Sequence, residues 1–392
     1  MSKGLTILFA VAGGFAVGNL YWTQPLLARI AETLGVTPAA AGFLVTVTQL
    51  GYAAGVLLVV PLGDAVDRRQ LIAAILTCSA LALAACAVAP TFPVLLATLA
   101  AVGLTTVTGQ ILVPLAGDLA REDQRGAVVG TVASGMLTGI LASRTISGLV
   151  ADAFGWRAIY VMAASATMVV LVLLLRALPA LPPRAQVPYS RLLGSVFTTV
   201  RAHRAVQATL VIGAAVFAAF SLFWTGLTFL LSAPPFSYSL SNIGFVGLAG
   251  LAGALAARRA GRLHDRGLSV PATGGALALA LASLAMAGFG EGSIIAILVA
   301  VVIFDAAIQS VNVLNQTRLL AVDPAARSRL NAAFVTSNFM GGGFGSTVAG
   351  ILWQHGRWTS VMLCGGILLV FAMLVWMSQR GALATQLPTS PR

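Results

Sequence analysis

The chain has 392 residues, of which 23 are Lys or Arg and 11 are Asp or Glu, while 58% are hydrophobic. Charged residues make up 9% of the chain, against about 25% in a soluble domain, and the mean hydropathy is +0.95. So few charges cannot cover the surface of a soluble protein of this length, which excludes a soluble enzyme, a nucleic-acid binder and a disordered chain and leaves lipid as the main solvent.

About 20 apolar residues cross the hydrocarbon core as a helix. Twelve such stretches are read along the chain, at roughly 5–27, 42–62, 70–89, 94–117, 127–150, 157–177, 205–231, 241–257, 271–290, 293–317, 331–352 and 358–378. The first is too long for a signal-peptide core, and Asn19, Tyr21, Trp22 and Gln24 near its end leave no small-residue cleavage site. It is read as one retained helix. Pro114 is expected to interrupt span four, and Gly341, Gly342, Gly343 and Gly345 to loosen span eleven. The eighth span is cut short by Arg258 and Arg259, whose long side chains can reach the headgroups. Between spans six and seven, residues 178–204 hold Pro179, Pro182, Pro183 and Pro188, followed by a segment from Tyr189 to Arg201 that suits an interfacial helix. The expected organisation is a six-helix bundle over 1–177, a cytoplasmic linker over 178–204 and a second six-helix bundle over 205–392.

The basic residues set the orientation. Lys3 is the only lysine. With the N-terminus inside, nineteen of the 23 basic residues fall on the cytoplasmic side and three, Arg29, Arg157 and Arg357, on the outer side. Arg144 lies within span five. The net charge of +12 is thus a topology signal rather than a nucleic-acid footprint, and both termini are expected in the cytoplasm. Cys78, Cys86 and Cys364 lie in apolar runs, and His203, His264 and His355 are far apart, so no disulfide framework, metal site or cofactor is indicated.

The halves repeat. Leu20-Tyr21-Trp22-Thr23 recurs as Leu222-Phe223-Trp224-Thr225 and Gly42-Phe43 as Gly244-Phe245, both 202 residues on. Asp64 and Asp265, Arg125 and Arg329, and Gly155 and Gly356 recur at offsets of 201, 204 and 201. Parallel repeats of this kind suit a two-domain carrier.

At the cytoplasmic end of span two the chain reads Gly63-Asp64-Ala65-Val66-Asp67-Arg68-Arg69, and its copy in the second half reads Gly261-Arg262-Leu263-His264-Asp265-Arg266. These segments resemble the G-x-x-x-D-R-x-G-R-R signature of the major facilitator superfamily. Span five resembles that family's antiporter signature, with Gly135, Gly139 and Gly148 keeping the small-residue spacing and Arg144 replacing its proline. Within the family the chain is similar to the bacterial drug-efflux and arabinose-efflux-permease-like group. The resemblance implies an all-α integral membrane fold of two pseudo-symmetric six-helix bundles in the bacterial inner membrane. It also implies a cytoplasmic latch made by Asp64, Arg68 and Arg69, with Asp265 and Arg266 in the second half, and a cavity lined by spans one, four, seven and ten.

Those four spans carry Asn19, Tyr21, Gln24, Thr105, Thr108, Gln110, Ser221, Trp224, Gln309, Asn312, Asn315 and Gln316 as candidate lining residues. On span ten, positions 305, 309, 312 and 316 fall on one helical face. Helix–helix bonding competes for the Asn and Gln residues. Trp22 and Trp224 suit an outer aromatic belt. Phe217, Phe220 and Phe223 suit an amphipathic ligand or, equally, a core or lipid face.

Only two charges are read as lying well inside spans, Arg144 and Asp305. Asp305 is about 12 residues into span ten, roughly 18 Å along the helix and near the midplane. A charge there is expensive and marks a functional site by default, so Asp305 is the candidate proton carrier, with structural bonding to Gln309 or Asn312 as the bland alternative. Arg144 is the candidate to meet substrate or an ion-pair partner. The expected function is a monomeric secondary transporter working by alternating access, exporting small amphipathic or drug-like molecules against protons. An importer or facilitator of a metabolite, and a non-transporting sensor or scaffold, are the alternatives. With a single lysine at position 3 the chain has no ATP-binding P-loop, and it carries no hydrolase motif that would make it an enzyme.

Overall fold

The computed structural model describes residues 1–178, 189–250, 256, 259–264, 266–323 and 326–384. Among the described residues every regular element is helical. Nine helical runs among the described residues are long and apolar enough to cross a bilayer. Pro38–Ala65, Arg68–Val88, Phe92–Leu119, Glu122–Phe154 and Trp156–Ala177 carry spans two to six. Arg204–Ser232, Ser269–Phe289 and Ile294–Val322 carry spans seven, nine and ten. The last run, Arg327–Gly381, covers spans eleven and twelve, because its backbone leaves helical geometry at Arg357 (φ 53°, ψ −152°). Spans one and eight appear as shorter apolar helices, Lys3–Gly18 and Leu240–Gly250. Twelve long helices were expected; the described residues instead give nine runs and these two short ones. Residues 251–255, 257 and 258, the expected end of span eight, lie outside the described residues.

Span one is not the single helix expected over 5–27. Its helix stops at Gly18, the chain turns through residues 19–23, and a 3₁₀ turn at Gln24–Leu26 leads into a separate helix, Leu27–Leu34. Pro25 has no N–H and its ring crowds the carbonyl four residues earlier. The Asn19 side chain meanwhile accepts the Trp22 indole N–H at 2.7 Å, which competes with helix continuation.

Span four is also broken, but not at Pro114. Helices Phe92–Thr105 and Thr108–Leu119 meet at Thr106 and Val107, and Pro114 lies within the second. The two breaks satisfy each other. Thr106 Oγ1 donates to the Ala16 carbonyl at 2.7 Å, and Asn19 Nδ2 donates to Thr106 Oγ1 at 3.4 Å. Irregular backbone at membrane depth persists only where its polar groups find such partners.

The small residues of span five pack against two neighbours. A Cβ on Gly139 would collide with the Gly14 carbonyl oxygen of span one, and one on Gly148 with the Leu240 carbonyl oxygen of span eight. Gly139→Ala is therefore expected to destabilise the protein by about 1–3 kcal/mol through overpacking. Thermal melting of the detergent-purified protein reads this, and an unchanged melting temperature would show that the helices can part freely.

The repeat persists in the backbone. Thr37 and Ser239, offset 202, cap the helices of spans two and eight by accepting from Ala40 N and Asn242 N. The turn between spans five and six has its positive-φ residue at Gly155 (φ 83°), and the structural mate of that residue is Arg357, not the sequence match Gly356.

The chain divides into two compact units. Unit one is residues 1–193 with 231–248, and unit two is residues 194–230 with 249–392. A helix, Tyr189–Ala202, forms where the interfacial segment was expected and runs across the residue 193/194 boundary. The proline-bearing segment 179–188 lies outside the described residues.

Candidate functional site

In unit one the unwound segment of span one is pinned at successive residues. Asn19 bonds to Thr106 of span four; the Trp22 carbonyl accepts from Ser147 Oγ of span five at 2.5 Å; Thr23 Oγ1 and Tyr160 OH of span six lie 2.8 Å apart; and Gln24 Oε1 accepts from Arg144 Nε at 3.0 Å. The Arg144 guanidinium also lies over the Tyr21 ring, 5.1 Å from its centroid, within cation–π range. Its stem is pressed by Gly247, where an added Cβ would come within 3.0 Å of Arg144 Cβ. Arg144 is 3% exposed, so this cation is held inside the unit by an amide oxygen and an aromatic face.

In unit two Asp305 is 4% exposed, and its Oδ1 accepts from Trp224 Nε1 of span seven at 3.1 Å. The repeat-related Trp22 and Trp224 thus do the same job in the two units: each aims its indole N–H at a side-chain oxygen, Asn19 in one and Asp305 in the other. Both tryptophans are buried, which corrects their placement in an outer belt. The repeat mate of Asp305 is Gly103, where an added Cβ would collide with the Thr48 carbonyl oxygen. No side chain fits there, so the carboxylate belongs to the second half alone. Phe223 is core, its ring tilted against those of Phe304 and Trp358 at 4.6 and 5.8 Å between centroids.

The remaining expected lining residues divide. On span ten, Asn312 Oδ1 accepts from Asn338 Nδ2 at 3.2 Å and Gln316 Nε2 donates to Asn331 Oδ1 at 2.8 Å, joining span ten to span eleven. Gln309 is half-buried on the same face. Gln110 donates to Tyr52 OH at 3.0 Å. Thr105 donates to its own helix at Ala101 O, and Ser221 and Thr108 are buried.

Asn315 is turned elsewhere, and it exposes what sequence reading missed. Its Oδ1 accepts from Arg318 Nη2, while Arg318 Nη1 donates to the Ser269 carbonyl at 3.2 Å and to Thr273 Oγ1 at 3.0 Å. Arg318 is 1% exposed. It lies near the C-terminal end of the span-ten helix, held by the first turn of span nine rather than by water. Asn315 three residues before it, on the same helical face, was the available signal.

At the other end of unit one, Arg68 is buried between carboxylates. Its Nη2 and Nη1 lie 2.9 Å from Asp64 Oδ1 and Asp118 Oδ2, and its Nε donates to the Gly63 carbonyl at 2.8 Å. Arg69 donates to the Leu175 carbonyl at 2.8 Å, at the end of span six. Asp118 was not expected in this cluster. In the second half Asp265 lies outside the described residues and Arg266 is exposed.

The model of the Major Facilitator Superfamily matches residues 8–321. YgaY of Escherichia coli O157:H7, an uncharacterized transporter, is 42% identical over 96% of this chain and 95% of its own. SCO4007 of Streptomyces coelicolor, a probable transporter, is 36% identical over 93% of this chain and 84% of its own. Among solved structures, a bacterial homologue of the human lysosomal transporter Spinster, inward-facing and occupied, superposes with a TM-score of 0.81 at 14% identity, covering all of both chains. The chain belongs to the Major Facilitator Superfamily. It is a multi-pass membrane transporter and not an enzyme.

Proposed function

We propose that the protein is a proton-driven exporter of small amphipathic molecules, working by alternating access in the bacterial inner membrane with both termini in the cytoplasm. The observation that carries this is Asp305: a carboxylate buried near the middle of span ten, with one oxygen held by the Trp224 indole N–H. A buried carboxylate that can gain and lose a proton as the surroundings change is what coupling requires. Arg144, held by Gln24 and Tyr21, is the group that meets a polar or anionic part of the substrate.

The test is flux in liposomes, with a substrate first found by thermal-shift screening across drugs, sugars and amino acids. Transport should follow an imposed pH gradient and reverse with it. Substrate moving opposite to protons supports export, substrate moving with them supports the importer, and flux indifferent to the gradient removes proton coupling.

Orientation is tested separately. In a variant whose native cysteines Cys78, Cys86 and Cys364 are replaced, single cysteines placed within 178–204 should react with an impermeant reagent only from the cytoplasmic side. Reaction in intact cells would invert the topology drawn from the arginines.

A further inference from the structure

Where spans one and four break, unit one encloses a small cavity of about 10 Å³. Its polar walls are Asn19, Ser79, Thr106, Thr108 and Thr167, from spans one, three, four and six. A hydroxyl in a membrane helix commonly bonds to the carbonyl three or four residues earlier. Thr167 does so with Ala163 O at 2.7 Å, and Thr105 with Ala101 O at 2.7 Å. Ser79 and Thr108 do not. They are 1% and 0% exposed, and neither hydroxyl has a hydrogen-bond partner among the described residues. An orphaned buried hydroxyl costs about 1–3 kcal/mol, so two on residues that line one cavity imply something that serves both.

We propose that this cavity binds one water molecule, hydrogen-bonded to Ser79 and Thr108, that ties span three to span four at the paired breaks. The size of the space decides against anything larger, since one water needs about 10–15 Å³ and a drug-like molecule several hundred. The chemistry decides against a metal ion: the walls offer hydroxyls and one amide but no carboxylate, and a cation would lose its hydration without a countercharge. The water needs two to four polar partners, and Ser79 and Thr108 supply two.

The pair is tested on the full-length protein in detergent by melting of Ser79→Ala, Thr108→Val and the double variant. Each single change leaves the other hydroxyl and the water under-bonded and should lower the melting temperature by a few degrees. The double change empties the site of polar demand, so its loss should be smaller than the sum of the two. Strictly additive losses would overturn the shared water. A structure of the wild-type protein with ordered solvent should show one density peak within hydrogen-bond reach of both hydroxyls, and an empty cavity would overturn the proposal even if the variants fail to fold. Stabilisation by sodium chloride over choline chloride that disappears in Thr108→Val would overturn it too, by making the occupant a cation.

Discussion

Asp305→Asn is expected to abolish uphill transport driven by a pH gradient, lowering accumulation to the level seen without a gradient. Substrate binding and downhill exchange should survive in part. Asparagine keeps the size of the side chain and an oxygen that can accept from Trp224 Nε1, now 3.1 Å from Asp305 Oδ1. What it removes is the proton. The experiment thus separates two roles that alanine would confuse: a structural acceptor for Trp224, which asparagine can replace, and a proton carrier, which it cannot. Wild-type accumulation by the asparagine variant would take Asp305 out of the proton path and leave it as a partner for Trp224. The separation is sharp because Gly103, the repeat mate in the first half, carries no side chain.

Arg68→Ala is expected to cost about 3 kcal/mol of stability. The guanidinium is shared by Asp64, Asp118 and the Gly63 carbonyl, and its side chain is 9% exposed against 17% for Asp118 and 40% for Asp64. Its loss leaves two carboxylates facing each other, with Arg125 still 3.7 Å from Asp118. The partial exposure of Asp64 keeps the expected loss at the low end for a buried network. Arg69→Ala removes one bond to the Leu175 carbonyl and should cost about 1 kcal/mol. Melting of the two purified variants compares them directly, and equal losses would show that the Asp64–Arg68–Asp118 cluster contributes nothing beyond one ordinary bond.

The family resemblance placed Asp64, Arg68 and Arg69 in one latch, and the structure brings Asp64 and Arg68 into direct contact. Asp118 was not legible as their partner because it lies 50 residues downstream of Arg68, and no local spacing links positions joined only by packing of spans three and four. The burial of Arg318 was not legible for a related reason: its partners Ser269 and Thr273, in the first turn of span nine, lie 49 and 45 residues away. The breaks in spans one and four were hidden because hydropathy is averaged over a whole span, and the few polar residues at the breaks, Asn19, Thr23 and Thr106, do not interrupt the apolar run. Pro25 hinted at the first, and Pro114 pointed to the wrong place for the second.

By itself the sequence determined that lipid is the solvent, that the chain is organised as a repeat, and that Arg144 and Asp305 are costly charges within spans. These follow from composition, period and offset, which do not depend on how helices meet. Only the tertiary structure decided what holds each charge. Gln24 and Tyr21 are 120 and 123 positions from Arg144, Trp224 is 81 from Asp305, and Thr273 is 45 from Arg318. In hydrocarbon a polar group must find its partner within the protein, and which partner it finds is set by packing between helices, not by neighbours along the chain.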